Sequence, residues 1–172
     1  QDLIINKSIS GNAFGFDNRG QKRKNTLRNI GQYLTDSEIQ AGGRRIDDVI
    51  INLGTNDCKA VFKDRQKEVI ENYRQLLGKI QSYYQGKVMP QIVMVSPPPY
   101  GPDEQLAEKY EGAGKRVKQL KTAFQQLAEE EGHAFLDIQS PLDAVFEYIS
   151  PDGVHLTEEG QMIIARIINS SF

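Results

Sequence analysis

The residues best suited to chemistry lie near the C-terminal end, in the stretch Asp152-Gly153-Val154-His155. A carboxylate three residues before a histidine can fold back within one turn and accept the proton on Nδ1. That hydrogen bond leaves Nε2 free as a base, and the ordinary histidine pKa of about 6.5 suits proton exchange near neutral pH. The pattern predicts a base oriented by an acid, although a capped turn beside an exposed histidine has the same residues.

A second polar group, Gly54-Thr55-Asn56-Asp57, directly follows an apolar run. Acyl transfer needs donors aimed at the oxyanion of its tetrahedral intermediate, and the side-chain amide of Asn56 is a suitable neutral donor. Gly54 would let the backbone turn sharply and approach a substrate closely. The same residue types also favour ordinary turns at strand ends, so an oxyanion site and a plain turn both fit this group.

A third group, Asn6-Lys7-Ser8-Ile9-Ser10-Gly11-Asn12, follows the first apolar run of the chain. The backbone N–H of Gly11 could face the same oxyanion as Asn56. An ordinary turn from a strand into a loop would again have a similar composition.

The elements that must position these groups follow from the hydrophobic pattern. Short apolar runs predict four buried strands, at residues 3–5, 49–53, 92–95 and 134–138. Apolar residues recur every three or four positions over 70–84 and 117–127, which predicts amphipathic helices, and a last helix follows Thr157 as its N-cap. Strands that alternate with helices predict an α/β fold with a parallel sheet. Ligands bind such sheets beyond the carboxyl ends of the strands, where all three polar groups lie.

Two loops complete the predicted organisation. Residues 12–45 carry only a weak helical signal near 26–34, which predicts a long, partly helical excursion. Residues 96–102, Ser-Pro-Pro-Pro-Tyr-Gly-Pro, predict a stiff, non-helical exit from the third apolar run.

The three polar groups, in this order, resemble blocks II, III and V of the SGNH, or GDSL-like, hydrolases. The matching stretches read Ile-Asn-Lys-Ser-Ile-Ser-Gly-Asn, Leu-Gly-Thr-Asn-Asp and Asp-Gly-Val-His-Leu-Thr. The resemblance spans nearly the whole chain and implies one domain, 1–172, with a three-layer α/β/α, flavodoxin-like parallel sheet. It implies that Gly11 and Asn56 form the oxyanion hole, that His155 is the catalytic base and that Asp152 orients it. It also implies that neither metal nor cofactor takes part.

The sequence departs from the family at the nucleophile, because it contains no Gly-Asp-Ser. Ser8, in Asn6-Lys7-Ser8, could stand in for it, and Ser10 is a weaker candidate, but residues 6–11 fit block II better. A strand at residues 3–5 without its block I neighbour would leave backbone groups unpaired in the core. We therefore expect the first strand and the serine to precede Gln1 in the native protein. A second chain that supplies them is the other possibility.

The resemblance implies an esterase or acylhydrolase that cleaves small acyl esters, including acetyl esters of carbohydrates, through an acyl-enzyme. A catalytically inactive module of the same fold that binds carbohydrate or another ligand is the competing interpretation. Asp57 and Tyr100 are candidate substrate-lining residues, although Asp57 could instead fix the turn and Tyr100 could fill the core. Lys59 and Phe62 could border an acyl pocket.

Composition narrows the partners of the chain. The 172 residues carry a formal net charge of −2, with a pI near 5.8, which argues against nucleic-acid and membrane-surface binders. The basic run Lys22-Arg23-Lys24 fits a solvated loop better than a phosphate contact. Cys58 is the single cysteine, so no intrachain disulfide can form, and we predict that it is a small buried apolar residue. Cytoplasmic and exported locations both remain open, as does the oligomeric state.

Overall fold

The computed structural model describes residues 3–171, so Gln1, Asp2 and Phe172 lie outside it, as does the expected cut at Gln1. Parallel strands form one sheet in the order β1-β2-β3, namely β1 Asp48–Asn52, β2 Gln91–Val95 and β3 Ala134–Leu136. These are the second, third and fourth apolar runs of the sequence. Three of the predicted strands are therefore confirmed, with ends that differ by one or two residues.

Helices connect and flank the strands. They are α1 Thr26–Ala41, α2 Gln66–Tyr83, α3 Ala113–Glu131, α4 Gln139–Asp143, α5 Phe146–Ile149 and α6 Glu158–Asn169. Short 3-10 turns lie at Asn18–Gly20, Lys22–Lys24, Asn56–Cys58, Ala60–Arg65, Asp103–Gln105 and Glu108–Tyr110. The predicted cap of α6 is present, because the Thr157 hydroxyl accepts the N–H of Gly160 at 3.3 Å. Within residues 3–171, none of the helices has the length and apolar composition that a membrane crossing needs.

The sheet lies between two hydrophobic layers. On one face Ile92 and Met94 of β2 pack with α1, α2 and α3. On the other face Val93 and Val95 pack with α4, α5 and α6. When both faces of a strand are covered, side chains on either face are buried, which explains the continuous apolar run of β2. The α/β/α architecture predicted from the sequence is therefore confirmed.

The segment before β1 is more ordered than its sequence pattern suggests. Phe14 is fully buried, with its ring centroid 4.3 Å from that of Tyr73 and 5.4 Å from that of Phe124. A parallel bridge pairs Ala13 with Asn25, and α1 then runs well past the weak helical signal at 26–34. The core therefore anchors both ends of the loop that follows Gly11.

The predicted strand at residues 3–5 is wrong. This segment has no regular secondary structure, and Leu3 and Ile4 are 50% and 83% exposed. The physical reason is pairing, because no other part of the described chain offers a strand to this segment, and a strand needs a partner for its backbone groups. The outer edge of β1 is likewise unpaired, and its Ile50 is 43% exposed.

Candidate active site

The predicted contact between Asp152 and His155 is present. Oδ2 of Asp152 lies 2.6 Å from Nδ1 of His155, and Oδ1 accepts the backbone N–H groups of Val154 at 3.0 Å and His155 at 2.7 Å. Partial burial alone would raise the pKa of Asp152, but the hydrogen bonds from His155 and Val154 outweigh it and lower the pKa to about 2. The carboxylate is therefore ionised at any working pH. The imidazole is 75% exposed, which leaves Nε2 open to a substrate.

The proline-rich loop at residues 96–102 fixes the loop that carries the histidine. The N–H of Gly101 donates to the carbonyl of Gly153 at 2.8 Å. A Cβ at Gly101 would lie 2.8 Å from the Cα of Gly153, so only glycine allows the two backbones to approach this closely. Val154 anchors the same loop in the core, where it is 8% exposed.

The proline-rich loop also contacts the turn that carries Asn56. The Tyr100 hydroxyl donates to the carbonyl of Thr55 at 2.5 Å. Gly54 has φ 121° and packs against Pro97, which its Cβ would meet at 3.2 Å, so the predicted sharp turn is confirmed. Tyr100 is only 7% exposed, and this burial favours a packing role over the alternative of contacting substrate. One loop thus connects the acid–base pair to the Asn56 turn.

Gly11 and Asn56, the two predicted oxyanion-hole residues, belong to one hydrogen-bond network. The Asn56 amide donates to the carbonyl of Asn12 at 3.0 Å. Asn18 bridges the pair, because its amide donates to the carbonyl of Gly11 at 2.6 Å and to Oδ1 of Asn56 at 3.3 Å. Within residues 3–171, the second N–H of Asn56 and the backbone N–H of Gly11 have no acceptor, so both remain available for an oxyanion.

Lys59 binds the bridging residue Asn18 through a buried hydrogen bond. Its Nζ donates to Oδ1 of Asn18 at 3.2 Å, and the two residues are 6% and 2% exposed. Burial, together with the nearby charges of Arg19, Lys109 and Lys24, lowers the pKa of Lys59 to about 8. Asn18 was missed at the sequence level, because an asparagine in a loop gives no short-range signal that it will join two distant groups.

Asp57 faces the protein interior. It is fully buried, and its Oδ1 accepts the N–H of Phe14 at 3.0 Å, while Oδ2 has no partner in the described chain. Burial raises the pKa of Asp57 to about 7. This placement favours the turn-fixing role of Asp57 over contact with substrate.

The other candidate residues lie in different surroundings. Ser8 is exposed, and its backbone N–H donates to Oδ1 of Asn6 at 2.8 Å. No hydrogen bond among the described residues joins Ser8 to His155. Cys58 is fully buried, as predicted, and Phe62 is buried in a stack on Phe16 with ring centroids 4.3 Å apart.

The residues of the basic run differ in their exposure and in their distance from the candidate site. Lys22 and Arg23 are exposed, whereas Lys24 is half-buried, and its Nζ would lie 3.1 Å from a Cβ at Gly11. Only the last residue of the run therefore reaches the candidate site. Among residues 3–171, no group of three histidine, cysteine or acidic side chains could hold a metal ion.

Comparisons with known proteins identify the family and the fold. The sequence profile of the GDSL-like Lipase/Acylhydrolase family matches residues 1–163. The comparison with curated protein sequences gave no match. Several solved structures share the fold of the chain.

A carbohydrate acetylesterase from Sinorhizobium meliloti, Est24, superposes with a TM-score of 0.73 at 23% identity, over 95% of this chain and 76% of that one. The aryl esterase of M. smegmatis gives 0.76 at 23%, over 98% and 78% of the two chains. The lipase/acylhydrolase of Enterococcus faecalis gives 0.67 at 17%, over 94% and 70%. At these identities the likeness shows a common fold.

Proposed function

Because the chain belongs to the GDSL-like lipase/acylhydrolase family, we propose that it is a serine ester hydrolase with His155 as base and Asp152 as the acid that orients it. The observation that carries the proposal is the 2.6 Å contact between Asp152 Oδ2 and His155 Nδ1. The loop that carries this pair is fixed, through Gly101 and Tyr100, to the turn that carries Asn56.

In the proposed reaction, the acid–base pair transfers protons and the oxyanion-hole residues bind negative charge. His155 Nε2 takes the proton of the attacking serine hydroxyl, and the ionised Asp152 stabilises the imidazolium that results. The N–H of Gly11 and the free N–H of Asn56 bind the oxyanion of the tetrahedral intermediate. The imidazolium then protonates the leaving alcohol, and a water molecule activated by the same histidine releases the acyl group.

Among residues 3–171, no serine side chain forms a hydrogen bond with the imidazole of His155. We propose a serine on a strand that pairs with the outer edge of β1, since that edge is unpaired and its Ile50 is 43% exposed. Such a strand would end beside the Asn56 turn, because parallel strands end at the same edge of a sheet. Ser8 remains the alternative within this sequence.

We propose small acyl esters, including acetyl esters of carbohydrates, as substrates. Two structures that share the fold are named as a carbohydrate acetylesterase and an aryl esterase, which supports this substrate class. The imidazole is 75% exposed, and this open approach suits a polar alcohol half better than a long apolar chain.

Hydrolysis of 4-nitrophenyl acetate by the full-length protein tests the proposal. We expect turnover that falls by about 10³-fold or more in His155→Ala. The variant should remain folded, because the side chain is 75% exposed. His133→Ala is the control, because His133 is the other histidine of the chain and precedes β3, at the amino end of that strand. Equal activity in wild type and His155→Ala would refute the assignment and favour the inactive binding module.

A further inference from the structure

Four cationic side chains surround the candidate oxyanion hole. They are Arg19, Lys24, Lys59 and Lys109, which we call the cationic rim: Lys24 lies beside Gly11, Lys59 binds Asn18, Arg19 follows Asn18 in sequence, and Lys109 shares the Tyr110 ring with Lys59. They come from three separate segments of the chain, so tertiary structure assembles the rim. The whole chain carries a net charge of −2, and this local concentration of positive charge is therefore not a consequence of composition.

Two members of the rim lie against one aromatic ring. The Nζ of Lys59 is 5.8 Å from the ring centroid of Tyr110, and the Nζ of Lys109 is 4.9 Å from it. Burial raises the pKa of the Tyr110 hydroxyl. The charge of Arg19 lowers this pKa, and the charge of Asp152 raises it. Tyr110 is therefore close enough to Arg19 of the rim and to Asp152 of the acid–base pair for both charges to act on it.

The other two members approach from the loop after Gly11. The Nζ of Lys24 would lie 3.1 Å from a Cβ at Gly11, so this ammonium group adjoins one oxyanion donor. Arg19 follows the bridging Asn18 and has φ 56°, in the left-handed region that a side chain other than glycine or asparagine rarely adopts. An arginine in this strained conformation points to a use for its side chain.

Within residues 3–171 the rim has no counter-ion. None of its four members forms an ion pair with any other residue of the described chain. The carboxyl group that acts on Lys59 is that of Asp57, whose pKa burial raises to about 7. Lys59 is 6% exposed, and a buried ammonium group beside three other cations is unfavourable unless an anion joins it.

We propose that the cationic rim binds an anionic substituent of the substrate, so that the preferred substrates are esters with a carboxylate, sulfate or phosphate group near the scissile bond. This inference rests on the proposed esterase function and narrows its substrate class. Arginine and lysine bind such groups through charge-assisted hydrogen bonds. A rim that served the oxyanion alone would favour charged and neutral esters equally.

Pairs of charged and neutral esters test the inference with the full-length protein. Mono-4-nitrophenyl succinate against 4-nitrophenyl acetate places the charge on the acyl half. The 4-acetoxybenzoate anion against its methyl ester places it on the alcohol half. We expect kcat/KM at least tenfold higher for the charged member of one pair at low ionic strength, with a preference that shrinks as salt screens it. Preference for the neutral member in both pairs would overturn the inference.

Two variants test whether the preference for charged esters arises from the cationic rim. Arg19→Gln combined with Lys109→Gln should lower the charged-to-neutral ratio of kcat/KM at least tenfold. Lys67→Gln removes one positive charge from the exposed surface of α2, outside the rim, and should leave the ratio unchanged. An unchanged ratio in the double variant would overturn the inference.

A binding measurement separates this inference from the proposed function. Benzoate should shift the backbone amide resonances of residues 11–24, neutral benzamide should not, and the double variant should bind benzoate at least tenfold more weakly. Binding of benzoate without any ester turnover would refute the esterase and keep the rim. Turnover without benzoate binding or charge preference would keep the esterase and refute the rim.

Discussion

Two aspartates of the candidate site have pKa values shifted in opposite directions. Asp152 lies in an exposed loop, where hydrogen bonds from His155 and Val154 overcome partial burial and lower its pKa to about 2. Asp57 is fully buried beneath the Asn56 turn, and burial raises its pKa to about 7 despite the N–H of Phe14. The same side chain is thus a permanent anion in one half of the site, whereas in the other half it is about half protonated near pH 7.

The difference extends to how each half is built. The Asp152–His155 contact joins residues three apart in sequence, within one loop. The Asn56–Asn12 contact joins residues 44 apart, and the Asp57–Phe14 contact joins residues 43 apart. The acid–base contact of the exposed half is therefore local in sequence, whereas the contacts of the buried half also hold distant parts of the chain together. Mutations should distinguish the two halves.

Among the variants that compare the two halves, Asn56→Ala should have the largest combined effect, because it changes both rate and stability. Loss of an oxyanion donor should lower kcat by about 10²–10³-fold. The free energy of unfolding should fall by about 1–3 kcal/mol as well, because the carbonyl of Asn12 and the amide of Asn18 lose a partner. Ester kinetics and urea unfolding measure the two losses.

The comparison predicts a different result for Asp152→Ala. This variant should lose activity to a similar degree but keep its free energy of unfolding within about 1 kcal/mol, because the side chain is 56% exposed. If Asn56→Ala were as stable as wild type, the buried half would not be scaffold, and the contrast between the halves would fail.

Next in size is the pH dependence of stability that arises from Asp57. Its folded pKa of about 7 lies above the ordinary value of 3.8, so the folded state binds the proton more tightly. Stability should therefore fall as pH rises from about 4 to 7, by about 4 kcal/mol at most. Asp57→Asn keeps an acceptor for Phe14 and cannot titrate, so this slope should disappear.

Urea unfolding at a series of pH values between 4.5 and 8 measures the slope. Asp152→Asn serves as the control, because a folded pKa of about 2 lies below the ordinary value. Its stabilising contribution is present above pH 4 and is lost only as pH falls toward 2. The slope above pH 4.5 should therefore survive in Asp152→Asn, and the same slope in Asp57→Asn would show that another group causes it.

The contrast between the halves also explains what the sequence could predict. The Asp152–His155 contact was predictable because one loop contains both partners, and β2 was predictable because burial on both faces leaves an unbroken apolar run. Asn18 was not, because its partners Gly11 and Asn56 come together only in the tertiary structure. The prediction of a strand at residues 3–5 was wrong because an apolar pattern is local and does not ensure that a second strand is present to pair with it.

Gly101→Ala tests whether the two halves are coupled, with a smaller expected effect. A Cβ at this position would lie 2.8 Å from the Cα of Gly153, so the loop that carries His155 must move. Displacement of a catalytic group by about 1 Å can cost about 100-fold in rate, and we expect a fall in kcat/KM of up to that size. Gly78→Ala is the control, because open space surrounds that position in α2 and its helix should gain stability. An unchanged kcat/KM in Gly101→Ala would show that His155 is positioned without the proline-rich loop.

Asn18→Ala should have the smallest effect on rate, because this residue acts through Asn56 and Gly11. We expect kcat for a neutral ester to fall about tenfold, the cost of one net hydrogen bond, with KM little changed. Asn18→Asp separates the two functions of the side chain, since it keeps an acceptor for Lys59 but loses the amide that donates to Gly11 and Asn56. If the donors position the oxyanion hole, Asn18→Asp should lose as much kcat as Asn18→Ala while it regains stability beside the Lys59 ammonium group. Recovery of kcat in Asn18→Asp would instead show that holding Lys59 is what the site requires.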